Sequence, residues 1–211
     1  IISATEAKTA ALADLDIRSA YQPLQYAATG TGTDNMIVIP SPGPSIDNAG
    51  GHSKMGELIA KAVYQAVSEA IAKQNGLTAQ RSIFKRLAER GINLGSLRLL
   101  EACPCLAPHR QPGRQALTRL LLDPAYAGFL EAALAMSDAD TKGLVEDWAA
   151  FEEYGRTVAE RIAGGTLSGW CPWTPADPEF PVPLAKALEA LLNGLMQRKE
   201  APRMASDIVE P

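Results

Sequence analysis

Ala28-Thr29-Gly30-Thr31-Gly32-Thr33-Asp34 is followed by the apolar run Met36-Ile37-Val38-Ile39, a Pro/Gly/Asn loop, and Gly50-Gly51-His52-Ser53-Lys54-Met55-Gly56-Glu57-Leu58. Two glycine-rich turns therefore flank one β-branched run, which reads as a buried strand. In an extended Thr29–Thr33 the three hydroxyls share one face, and Gly30 and Gly32 leave the other face bare for close approach of a ligand. Ser53 is a good N-cap for a following helix, which sets His52 and Ser53 beside unpaired backbone N–H groups and the positive end of a helix dipole. An anion or a developing oxyanion is favoured there.

Outward from this stretch, Ser3-Ala4-Thr5-Glu6 has the spacing of a capping box, and alanine-rich sequence carries a helix to about Leu15. Leu24–Tyr26 reads as irregular chain or a short strand. The loop from Pro40 to Gly51 is too rich in proline for helix or ladder. From Met55 to Ile71 apolar residues recur at helical spacing, and Asn75-Gly76 closes that helix. Beyond Leu77 the pattern is helical with polar breaks: 82–89, 94 or 95 to 102, 113–122, 124–136, a helix from Asp138 or Asp140 reaching Ile162, and 183–198. The expected fold is α/β or α+β, a small sheet with packed helices over residues 1–77, joined to a mostly α-helical region over 78–211. A chain that opens Ile1-Ile2 directly before a helix signal reads as the C-terminal part of its first domain, with an N-terminal portion missing.

The chain has 211 residues, 46% of them hydrophobic and 21% charged, with a formal net charge of -4 and no basic cluster, which argues against a nucleic-acid surface. No run suits a membrane span and no leader pattern opens the chain, so a cytoplasmic protein is expected. Three cysteines without a framework pattern fit a reducing compartment. Cys103, Cys105, His109 and Cys171 match a zinc inventory in type, but a single residue between two cysteines is poor spacing, and buried unpaired thiols are the expected state. Trp170-Cys171-Pro172-Trp173 reads as an aromatic plug at the end of a bundle or a surface for stacking on a flat ligand.

Three motifs, in the order Thr5-Glu6-Ala7-Lys8-Thr9, Ala28-Thr29-Gly30-Thr31-Gly32-Thr33-Asp34 and Gly51-His52-Ser53-Lys54-Met55-Gly56-Glu57, resemble the adenosylcobinamide amidohydrolase family over residues 1–77. The resemblance implies hydrolysis of the amide between the aminopropanol arm and the corrin ring of adenosylcobinamide, giving adenosylcobyric acid for cobalamin salvage. The corrinoid is then substrate, and no cofactor is expected. It also implies a further segment ahead of the first motif, so a companion N-terminal fragment or a homo-oligomer is an expected partner.

Amide hydrolysis needs a nucleophile or activated water, a donor for the carbonyl oxygen and an acid for the leaving amine. His52 suits proton transfer, because its ordinary pKa lies near neutrality, or else bonds its own loop. Glu6 and Asp34, with Glu57, suit activation of water or orientation of His52; capping, a turn and a dipole partner are their structural alternatives. Lys8 and Lys54 suit the amide periphery or an oxyanion, if they are not simply solvated. Thr5, Thr9, Thr29, Thr31 and Thr33 suit hydrogen bonds to corrin carboxamides, beside the bare Gly30 and Gly32 and the capping Ser53. Which threonine, if any, attacks stays open, since threonine needs a base within hydrogen-bond distance. The rival readings are a corrinoid-binding or carrier module without turnover, an assembly subunit, and an amidohydrolase for another tetrapyrrole-like substrate.

Overall fold

The computed structural model describes residues 1–30, 35–39, 42–94, 110–175 and 177–198. They form seven helices: α1 Ile2–Asp14, α2 Lys54–Asn75, α3 Ile83–Glu89, α4 Arg110–Leu120, α5 Pro124–Thr141, α6 Ala149–Ala163 and α7 Val182–Met196. The chain divides into two compact units, Ile1–Gly91 and Ile92–Pro211. No helix among the described residues is long and apolar enough to cross a membrane.

The expected small sheet is not there: among the described residues no strand forms, and the only β pairing is an isolated bridge between Arg18 and Ala27. Met36–Ile39, read as a buried strand, is irregular. Its side chains are exposed, Ile37 at 85% and Ile39 at 83%. Branched side chains favour an extended backbone, but a strand exists only through a partner that takes up its N–H and C=O groups. The described part of the unit offers this run no such partner.

In the first unit α1 packs on α2, and the buried residues of α1 are all small: Ser3, Ala4, Ala7 and Ala11. The expected cap at Ser3 does not form, because the helix begins two residues earlier, at Ile2, and Ile1 precedes it without a side-chain cap bond. The other end of α1 is more elaborate. Asp16 takes the left-handed conformation, φ 48°, usually given to glycine. Its amide donates to Ala13 O at 2.9 Å and the amide of Ile17 donates to Leu12 O at 3.0 Å, the two bonds of a Schellman turn.

Around this turn four arginines converge. Arg81 Nη2 donates to Leu15 O at 2.6 Å. Arg18 Nη1 and Arg90 Nη1 each lie 2.9 Å from an Asp16 carboxylate oxygen, and Arg86 Nη1 lies at 3.5 Å. Arg81 Nε also pairs with Glu89 at 3.2 Å. Because Arg81, Arg86, Glu89 and Arg90 lie on or beside α3, this cluster ties α3 into the first unit.

α2 begins at Lys54, the residue after its Ser53 cap, and closes on Gly76 at φ 63°. Of its 22 residues only Gly56 is buried. The apolar face that its spacing foretold is therefore only half covered, and Leu58 is 50% exposed.

The second unit is built around α7, which is buried from Pro183 to Gly194 except at the half-exposed Lys186. α4, α5 and α6 all pack on it. The approach to α6 is close because glycines line it: a Cβ on Gly194 would stand 2.7 Å from Ala159 O and 2.8 Å from Ile162 Cβ. Gly194→Val should therefore cost the unit about 1–3 kcal/mol by overpacking. Urea unfolding followed by tryptophan fluorescence reads this, since Trp148, Trp170 and Trp173 all lie in this unit.

Two polar side chains in the α7 core have a defined task. Glu189 accepts from Trp170 Nε1 and, at 2.9 Å, from the amide of Trp173. Asn193 exchanges two bonds with the backbone of Cys171, accepting at 2.8 Å and donating at 2.9 Å. Trp173 meets Phe180 edge to face at 5.7 Å and the Arg156 guanidinium lies 5.1 Å over Trp170. The Trp-Cys-Pro-Trp turn is thus fastened to the bundle as a plug. Cys171 is disulfide-bonded, which corrects the expectation of unpaired thiols and removes it as a thiolate ligand. Cys103, Cys105 and His109 lie outside the described residues, and no group of metal-binding side chains forms among the described ones.

Candidate functional site

The third motif folds into a hydrogen-bonded turn seated on the start of α2. Asn48 Oδ1 accepts from the amide of Gly50 at 2.9 Å. Gly50 O then accepts from both the amide of Ser53, at 2.9 Å, and its hydroxyl, at 2.8 Å. Ser53 Oγ in turn accepts from the amide of Gly56 at 3.0 Å, the N-cap bond expected of it. The hydroxyl of Ser53 thus gives its proton to the turn and its lone pair to the helix.

Gly56 completes the arrangement. A Cβ there would lie 2.0 Å from Gly50 O and 2.9 Å from Ala49 O, so the backbone of the turn rests directly on the helix. Sequence reading missed this residue; the signal was a glycine three places into a helix, where alanine is the better helix former.

His52 rides on this turn, exposed, next to the N-terminus of α2. The Ser53 cap engages the amide of Gly56, and the first backbone bond of α2 runs from the amide of Glu57 to Ser53 O at 3.0 Å. The amides of Lys54 and Met55 precede that bond, so the helix leaves them directed outward beside His52. Lys54 is engaged within the helix: its Nζ lies 2.8 Å from Glu57, which Lys61 reaches from the other side at 2.6 Å. Hydrogen bonds from Lys54 and then Lys61 hold the Glu57 carboxyl below its ordinary pKa. Glu57 is thus a carboxylate shared by two ammonium groups.

The first two motifs meet through one residue. Thr9 Oγ1 lies 3.1 Å from Thr5 O and 3.1 Å from Thr29 O, so its proton is committed to backbone carbonyls that join α1 to Ala28-Thr29-Gly30. Thr9 is a fastening, with lone pairs alone to offer a ligand. Thr5 Oγ1 makes a longer bond to Ile1 O at 3.3 Å. Glu6, Thr5, Thr29 and Gly30 are exposed and Lys8 is half-buried. No hydrogen bond or ion pair joins Glu6 to His52 among the described residues. Thr31, Gly32, Thr33 and Asp34 lie outside the described residues.

α1 and α2 are also linked at Tyr64, whose hydroxyl donates to Asp14 Oδ2 at 2.8 Å. That bond, with the charge of Asp14, raises the Tyr64 pKa. A separate open cavity of about 490 Å³ lies in the second unit beside the Trp170 turn and contains none of the residues singled out in the first three motifs.

The N-terminus of α2 thus carries an exposed histidine on a glycine turn seated on the helix backbone. Residues 1–79 match the family model of the adenosylcobinamide amidohydrolases, so the resemblance carried by the three motifs holds over that part of the chain. An uncharacterized protein of Methanocaldococcus jannaschii is 55% identical over 75 residues, which are 36% of this chain and 29% of the relative. The chain thus spans less than a third of the length of the curated relative it matches. No solved structure matches the chain.

Proposed function

We propose that the first unit belongs to an amidohydrolase that cleaves the amide between the aminopropanol arm and the corrin ring of adenosylcobinamide, releasing adenosylcobyric acid. The observation that carries this reading is the family match over residues 1–79, which takes in all three motifs. The turn at Gly50–Ser53 supports it physically. His52 shuttles the proton between the attacking oxygen and the leaving amine, while the first-turn amides of Lys54 and Met55 receive the charge that develops on the carbonyl oxygen. Glu6 and Asp34 are the acidic groups assigned to orienting water or His52. The hydroxyls of Thr5 and Thr29 face the carboxamides of the corrin periphery.

The test is incubation of adenosylcobinamide with the protein, followed by chromatography for adenosylcobyric acid and free aminopropanol, with His52→Ala alongside. Product from the natural sequence and its loss in the variant, at unchanged circular dichroism, is the expected result. Corrinoid that binds and stays intact would replace this reading with a binding or carrier module.

A further inference from the structure

The open cavity of about 490 Å³ in the second unit lies between the Trp170 turn and the end of α7. Its volume falls in the range of small-molecule sites, about 300–1,000 Å³. Among the described residues no charged side chain lines it: Trp170, Pro172 and Met196 bring apolar surface, and Ser168, Asn193 and Gln197 bring polar groups. Those polar groups are spent on the wall itself. Gln197 Oε1 accepts from the amide of Ser168 at 2.8 Å and from its hydroxyl at 3.0 Å, and Gln197 Nε2 donates to Gly169 O at 2.8 Å. Asn193 Nδ2 donates to Cys171 O and to Glu189 O, both at 2.9 Å, and Trp170 Nε1 donates to Glu189. Among the described residues, one N–H of Gln197 is thus the single side-chain N–H or O–H donor of the lining left for a ligand.

Glu189 and Asn193 are 3% and 1% exposed, and a polar side chain is costly to bury unless its bonds are made. Apolar residues could fill the same places in α7 with little loss of stability. What the two residues add is a fixed turn. They pin the indole of Trp170 by its N–H and hold the backbone of Cys171 and Trp173, so a ligand meets a wall already in place. The Trp170 ring is half-buried, with the Arg156 guanidinium 5.1 Å over it and outside the lining. We infer that the cavity is a binding site for an uncharged, flat aromatic molecule of one or two fused rings, seated against Trp170 and Met196. An indole and a thioether favour aromatic partners beyond the area they bury. The uncharged lining gives an ion no counter-charge, and the shortage of free donors disfavours a strongly polar ligand. The cavity lies outside residues 1–79, so its occupancy is independent of the chemistry proposed for the first unit.

The probe is phenylnaphthylamine, an uncharged aromatic dye that brightens on leaving water, titrated into the full chain. Saturable one-to-one binding is expected, displaced by naphthalene and not by decalin, its saturated counterpart of similar size. Trp170→Leu should weaken binding about tenfold and Trp170→Phe about threefold. Both variants take the same hydrogen bond from Glu189, so the difference between them reads the ring rather than the fold. Met196→Ala, at a half-buried side chain, should weaken binding about threefold at unchanged circular dichroism, and it carries the test if both Trp170 variants unfold. Absence of saturable binding overturns the inference. Equal displacement by decalin does so too, since the cavity would then select apolar surface and not rings. Binding that Trp170→Leu and Met196→Ala both leave intact places the dye elsewhere and overturns it as well.

Discussion

Asp16→Asn should destabilise the first unit by about 3–5 kcal/mol at neutral pH, the usual cost of leaving buried charges without their partner. Asparagine is nearly the size of aspartate and tolerates the left-handed conformation at φ 48°, so the Schellman turn of α1 survives and the charge alone is removed. What remains is a set of guanidiniums that cannot reach water: the side chains of Arg18 and Arg90 are 3% and 2% exposed. Burial pushes the Asp16 carboxyl up, but the charge of Arg90, a hydrogen bond from Arg18 and a further bond from Arg90 together outweigh it and hold the pKa below 3.8.

The sign of the pH dependence follows. A carboxyl whose folded pKa is depressed contributes fully above its unfolded value and loses that contribution as pH falls through the folded one. The gap between natural and variant proteins should therefore be widest near neutrality and close in acid, below the ordinary aspartate range. Because every tryptophan lies in the second unit, amide hydrogen exchange in α1 is the appropriate readout. A gap that persists unchanged in acid would show that the turn, not the charge, had been damaged.

This cluster also shows what a linear sequence conceals. Asp16 and Arg18 are neighbours, but Arg81, Arg86 and Arg90 are some 65–75 positions away, and nothing in their spacing announces that they close on the end of α1. α2 was legible because each of its determinants is local: a serine cap, a 3.6-residue apolar period and a terminal Asn-Gly. The helical character of the second region was legible for the same reason. Boundaries shifted where the pattern was ambiguous: α5 runs on to Thr141, and α6 starts at Ala149 rather than near Asp138 or Asp140. The start of α1 was misread because a capping-box spacing does not compel its serine to serve as cap.

Met36–Ile39 failed for a deeper reason. Branched composition reports a preference for extended backbone and for burial, and both need a neighbour that local sequence does not contain. Likewise, the three motifs carried the resemblance over residues 1–77, and the family model matches residues 1–79, but neither says how Glu6 and His52 stand to one another. That relation belongs to tertiary packing.

Gly56→Ala should remove most of the activity proposed for His52 while costing only about 1–3 kcal/mol of stability. A Cβ 2.0 Å from Gly50 O is well inside van der Waals contact, and the obstructing atoms are backbone, so no rotamer change relieves it. Something must move, and the exposed turn is cheaper to displace than a helix of 22 residues packed on α1. As the turn lifts, Gly50 O leaves the amide and hydroxyl of Ser53, and His52 loses its fixed place beside the amides of Lys54 and Met55. Alanine is otherwise the better helix former by about 1 kcal/mol, so propensity alone predicts a gain in helix stability. The substitution thus separates two accounts of the glycine. If it is there to seat the turn, corrinoid hydrolysis falls toward the level of His52→Ala and hydrogen exchange quickens at Gly50–Ser53, with the middle of α2 unchanged. If instead activity holds and the helix is merely more stable, the turn does not position His52, and the site must be sought elsewhere on the first unit.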